Sequence, residues 1–110
     1  MAYNDELEAR LKAALKRKRG ITSKNMFGGM GFLLHGHTCV GIWKDSLIVR
    51  IGKDQYDEAV REANTSPFDI TGKTMRGWLM VSREGWSDDA VLQDWIERSV
   101  KFVKTLDPKQ

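Results

Sequence analysis

The chain has 110 residues, 41% of them apolar and 30% charged, and carries a net charge of +3. That length suits one domain that buries somewhat over ~60% of its unfolded surface in a single two-layer core. The composition is that of an ordinary globular protein, and no apolar run approaches the ~18 residues of a membrane span. The opening Met1-Ala2-Tyr3-Asn4-Asp5-Glu6 is acidic and leads into no apolar region, so it does not read as a secretory signal. Cys39 is the single cysteine, which excludes an internal disulfide and fits a reducing cytoplasm.

In chain order, a first helix is predicted over residues 5–18. Asn4 is a good N-cap, acids follow it, and Lys16 to Arg19 sit where they offset the helix dipole. Tyr3, Leu7, Leu11 and Leu15 give one apolar stripe, and Gly20 suits the position past the end. Residues 26–51 read as three antiparallel strands turned at His35-Gly36 and Lys44-Asp45. Two-residue turns place Leu33 opposite Thr38, Val40 opposite Val49 and Ile42 opposite Leu47, with Gly29, Gly31 and Ile51 on that side. The other side then receives Met30, Phe32, Leu34, Cys39, Trp43, Ile48 and Arg50. Both sides are largely apolar, so one becomes a candidate contact face, with Phe32, Cys39, Trp43 and Ile48 as candidate homodimer residues.

Asp54 is the predicted cap of a second helix of about ten residues, which Asn64-Thr65-Ser66-Pro67 ends. An extended or looped segment from Phe68 to Met75 precedes a strand at Trp78 to Ser82. Ser87 is the predicted cap of a last helix whose buried stripe runs through Val91, Leu92, Trp95, Ile96, Ser99, Phe102, Val103 and Leu106. Of the four tryptophans, Trp86 is expected to be the exposed one. The order α-β-β-β-α-β-β-α argues for an α+β fold with a twisted antiparallel sheet.

Few groups offer chemistry. Gly28-Gly29-Met30-Gly31 could cradle a phosphate, but a phosphate loop leads into a helix and supplies a lysine; close backbone packing is the favoured reading. Gly72-Lys73-Thr74 mimics the end of a nucleotide loop, but Pro67 stands where the earlier glycine belongs. His35, His37 and Cys39 lack further ligands for zinc, and no cofactor or metal is expected. Arg10, Lys12, Lys16, Arg17, Lys18, Arg19 and Lys24 hold seven of the 18 bases, leaving 11 against 15 acids elsewhere. Of these, Arg10, Lys12, Lys16, Arg17, Arg19 and Lys24 are candidate nucleic-acid contacts, set against helix-dipole compensation on a solvated face. Arg50 interrupts an apolar strand and needs an acceptor, for which Asp69 is available. With Lys73 and Arg76 it forms the candidate anionic-ligand or partner contact.

Three ordered blocks carry a resemblance. Lys24, Met26, Phe27, Gly28 and Gly29 match the signature of the N-terminal domain family of the competence regulator TfoX, also called Sxy. Leu47 to Gly52 is similar to its second block, Asp69 to Trp78 resembles its third, and Trp95 occupies its helix tryptophan. The resemblance spans about residues 3–106 as a single domain. It implies a YjbR-like, secretion-chaperone-like two-layer fold and a link to competence gene regulation, with no catalytic residues to carry over. Full regulators add a helical C-terminal domain before which these 110 residues stop. The expected function is therefore a cytoplasmic, non-enzymatic module that works by protein–protein contact, with nucleic-acid binding or anionic-ligand binding as alternatives.

Overall fold

The computed structural model describes residues 4–26 (Met26 by its backbone), 29–68 and 77–106. Helix α1 spans Asp5–Leu15. Asn4 caps it, its Oδ1 accepting from the Leu7 amide at 2.9 Å, and Leu7, Leu11 and Leu15 are buried on one stripe, as their spacing dictates. Strands β1 (Ile21–Met26), β2 (Gly29–Leu34), β3 (His37–Trp43) and β4 (Ser46–Arg50) follow, then α2 (Lys53–Ala59), β5 (Thr65–Pro67), β6 (Trp78–Val81), α3 (Arg83–Trp86) and α4 (Asp89–Val103). The six strands form one antiparallel sheet in the order β1-β2-β3-β4-β6-β5. The domain is α+β as expected, but β1 adds a strand ahead of the predicted three, and two helices replace the predicted last one. No helix among the described residues is long and apolar enough to cross a membrane.

Strand β1 escapes a pattern search because Ile21-Thr22-Ser23-Lys24-Asn25 is polar after its first residue. Among the described side chains of β1, Ile21 alone packs against the core. The strand is an edge, where polar and charged residues guard unpaired backbone groups. The opposite edge, β5, carries Pro67, a residue that sheet edges tolerate.

Both predicted turns form, with His35 and Lys44 at φ 52° and 54°. The pairs Leu33 with Thr38, Val40 with Val49 and Ile42 with Leu47 are present. Between Phe32 and Leu33, however, the β2–β3 register shifts: Phe32 opposes Val40 and Leu33 opposes Thr38. Cys39 is the extra residue of this bulge. Its thiol donates to the Phe32 carbonyl at 3.3 Å, and its carbonyl accepts from Ser99 Oγ of α4 at 2.6 Å, so both carbonyls at the bulge have a partner.

The bulge overturns the face assignment. Met30, Phe32 and Leu34 join Val40, Ile42, Leu47 and Val49 in the core with Leu7, Leu11 and Leu15 of α1 and Leu92, Trp95, Ile96 and Val100 of α4. Phe32 and Cys39, assigned to a partner-facing side, are core residues. Ile48 pairs with Met80 and Gly41 on the reverse side, as expected, yet is fully buried. Trp43 alone of the four is partly exposed. These residues do not form an open face; the apolar groups are consumed inside the chain.

The end of the chain departs from prediction for a local reason. A short turn of helix, α3, precedes α4 and turns Trp86 inward, where it is fully buried and its Nε1 donates to the Asp45 carbonyl at 2.7 Å. Ser87 closes α3, and Asp88 caps α4, accepting from the Ala90 and Val91 amides at 2.9 and 3.3 Å. Val91, predicted to be buried, is 38% exposed. Helix α2 is shorter than expected and starts after Gly52, not Asp54. The β3–β4 turn also binds α1: the Asn4 amide donates to the Lys44 carbonyl at 2.8 Å, and Asn4 Nδ2 donates to Asp45 Oδ1 at 2.9 Å. Arg10 joins the same corner by donating to the Ser87 carbonyl and pairing with Asp89.

Candidate anion-binding cleft

Two glycines open a recess where β4 ends and β6 begins. Gly52 has φ 87° and Gly77 φ 96°, in the region that side chains resist. Their backbones join there, because the Ile51 and Gly52 amides both donate to the Gly77 carbonyl, at 2.8 and 3.2 Å. A Cβ on Gly52 would lie 2.5 Å from the Phe102 ring. This seam lets α4 close over the sheet end and leaves a cleft of about 700 Å³.

Arg50 sits in the cleft. It pairs across the sheet with Trp78, and its Cζ lies 5.3 Å from the Trp78 ring centroid and 5.6 Å from that of Phe102. Trp78 is braced edge-on by Phe68 at 5.8 Å. Burial pushes the Arg50 guanidinium down from its ordinary value, since removing charge from water disfavours it. Among the described residues no carboxylate pairs with it. Lys53 and Lys101 also line the cleft, against one acid, Asp54. Arg98 reaches the rim, but Glu62 at 2.5 Å and Asp94 at 2.9 Å occupy it.

Of the predicted anion contacts, Arg50 is in place, while Lys73, Arg76 and the suggested partner Asp69 lie outside the described residues. So do Phe27 and Gly28 of the glycine signature. Lys24 is exposed on β1. Gly29 follows the packing reading: a Cβ there would come within 1.9 Å of the Ile42 carbonyl oxygen. The basic segment divides. Arg10 is committed to Glu6, Asp89 and the Ser87 carbonyl, and Lys12 pairs with Glu8, whereas Lys16, Arg17 and Arg19 are exposed. Sequence reasoning missed Lys53, Lys101 and Phe102 as cleft residues. The usable signal was Gly52 directly after a strand and Gly77 directly before one.

Among the described residues no group of three or more His, Cys, Asp or Glu could hold a metal ion. Cys39 is fully buried, which pushes its thiol up from an ordinary 9.0 to about 11. Two outcomes are expected. In native protein the thiol resists iodoacetamide at neutral pH and reacts only on unfolding, because the thiolate is the nucleophile. Second, a folded-state value above the unfolded one gives stability that is complete below pH 9 and is lost as pH rises through about 11, worth about 3 kcal/mol. Urea melts at pH 8 and pH 11 should show this extra alkaline loss in wild type and not in Cys39→Ala.

The family model for the TfoX N-terminal domain matches residues 13–103, which includes the glycine signature, all six strands, the Arg50 cleft and α4. The chain belongs to the TfoX N-terminal domain family. No curated protein and no solved structure matched it. For this TfoX N-terminal domain, the match covers the glycine seam and Arg50 together, so the cleft is part of the family domain and not an appendage to it.

Proposed function

We propose that this chain is a non-enzymatic binding module that serves transcriptional regulation through protein–protein contact, and that the Arg50 cleft receives an acidic side chain of the partner. The observation that carries this reading is a partly buried guanidinium with aromatic neighbours and no carboxylate among the described residues. Trp78 and Phe102 accept no conventional hydrogen bonds, so the fork of N–H donors on Arg50 remains available for bidentate pairing with a carboxylate. Lys53 and Lys101 add charge that attracts the same ligand. The lining is dominated by bases and apolar groups, with Asp54 its one carboxylate among the described residues, which suits the binding of an acidic group. The regulatory and YjbR-like elements of the proposal rest on the family resemblance.

Titration calorimetry with a short peptide rich in Asp and Glu tests it. Arg50→Met keeps the apolar stem and removes the fork. It should weaken binding about 10- to 100-fold, the range of hydrogen bonds to a charged group. Equal affinity for wild type and variant, or no binding to either, would sink the proposal.

A further inference from the structure

A second basic recess lies away from the Arg50 cleft. Its volume is about 320 Å³, and Arg17, Lys18, Arg19, His35 and Lys104 line it over Leu34. Those side chains come from three separate places: the segment after α1, the β2–β3 turn and the end of α4. Their meeting is fixed by backbone. The His35 amide donates to the Gly20 carbonyl at 3.0 Å, and Gly20, at φ 80°, lies so close that a Cβ would stand 2.8 Å from the His35 ring. Lys18 is drawn to α4 by Glu97 at 3.2 Å. Among the described residues, no ion pair neutralises Arg17, Arg19 or Lys104.

Dipole compensation accounts for bases at the end of α1. It accounts equally for Lys104, the C-cap of α4, but not for the meeting of the two helix ends with His35 at one recess. Gathering like charges is unfavourable unless an anion offsets them. We propose that this recess binds a phosphoryl group, either of a free phosphate compound or of a nucleic-acid backbone. A phosphoryl oxyanion, singly charged in a backbone diester and up to doubly charged in a terminal phosphate, suits the two guanidinium forks of Arg17 and Arg19 with the Lys104 ammonium beside them. Lys101, one helical turn before Lys104 on α4, extends the positive surface toward the Arg50 cleft.

The test is titration calorimetry at low salt with two probes, inorganic pyrophosphate and a short single-stranded oligothymidylate. At least one should bind. Arg17→Glu and Lys104→Glu, both at exposed positions that leave the core intact, should each weaken that binding at least about tenfold. Arg61→Glu makes the same charge change at an exposed site beyond α2 and should stay within about twofold of wild type. Binding of the oligonucleotide alone assigns the phosphoryl group to nucleic acid, and binding of pyrophosphate assigns it to a free compound. Failure of both probes, or an equal loss in Arg61→Glu, would overturn the assignment. Dependence on Arg17 and Lys104, which line this recess and not the Arg50 cleft, separates this site from the acidic-peptide cleft.

Discussion

Phe32→Asp and Ile48→Asp should each unfold the domain. Phe32 is 3% exposed and Ile48 0%, on opposite faces of the sheet. An aspartate in either place would bury a carboxylate in a site that now holds an apolar side chain, and the aromatic or aliphatic contacts would be lost as well. The expected cost is about 4 kcal/mol or more, comparable to the whole stability of a small domain. Circular dichroism and urea melts read the effect, and Phe32→Leu, which nearly conserves volume, should cost less than about 1.5 kcal/mol. A folded Phe32→Asp protein that merely changes its sedimentation behaviour would show that this face meets another molecule and not α1 and α4.

Gly29→Ala should destabilise the sheet by about 3 kcal/mol or more, at or beyond the upper end for overpacking. The added methyl would stand 1.9 Å from the Ile42 oxygen and 3.1 Å from its carbonyl carbon. Those atoms are backbone, so the neighbour cannot escape by changing rotamer; the β2–β3 pairing must open instead. Chemical denaturation of the variant measures the loss. A midpoint within about 0.5 kcal/mol of wild type, the size of an ordinary surface change, would mean that the strands do not lie this close.

Much of the domain was legible because its rules are local. The cap at Asn4, the leucine stripe of α1, both hairpin turns and three cross-strand pairs follow from spacing and turn chemistry. The errors share one cause: tertiary packing chose between local options. Cys39 carries no mark of a bulge, yet the displaced residue moves Phe32 and Met30 to the other face. Trp86 looked exposed because it precedes the predicted cap at Ser87. The extra turn of α3 is stabilised by the distant Asp45 carbonyl, which no local pattern announces. At the cleft, Arg50 stood out as a charge in an apolar strand. Phe102 and Lys101 looked like ordinary helix residues, and only the glycine seam brings them to Arg50.

The Lys44–Asp45 turn receives Asn4 from one arm of the chain and Trp86 from the other, each 41 positions from Asp45. Neighbouring strands β1 to β4 need only short loops to pair, whereas this junction waits for both arms to return. The expected order of assembly is therefore meander first and junction last. In kinetic terms, a destabilising change at Asn4 or Trp86 should chiefly accelerate unfolding and leave the refolding rate nearly untouched.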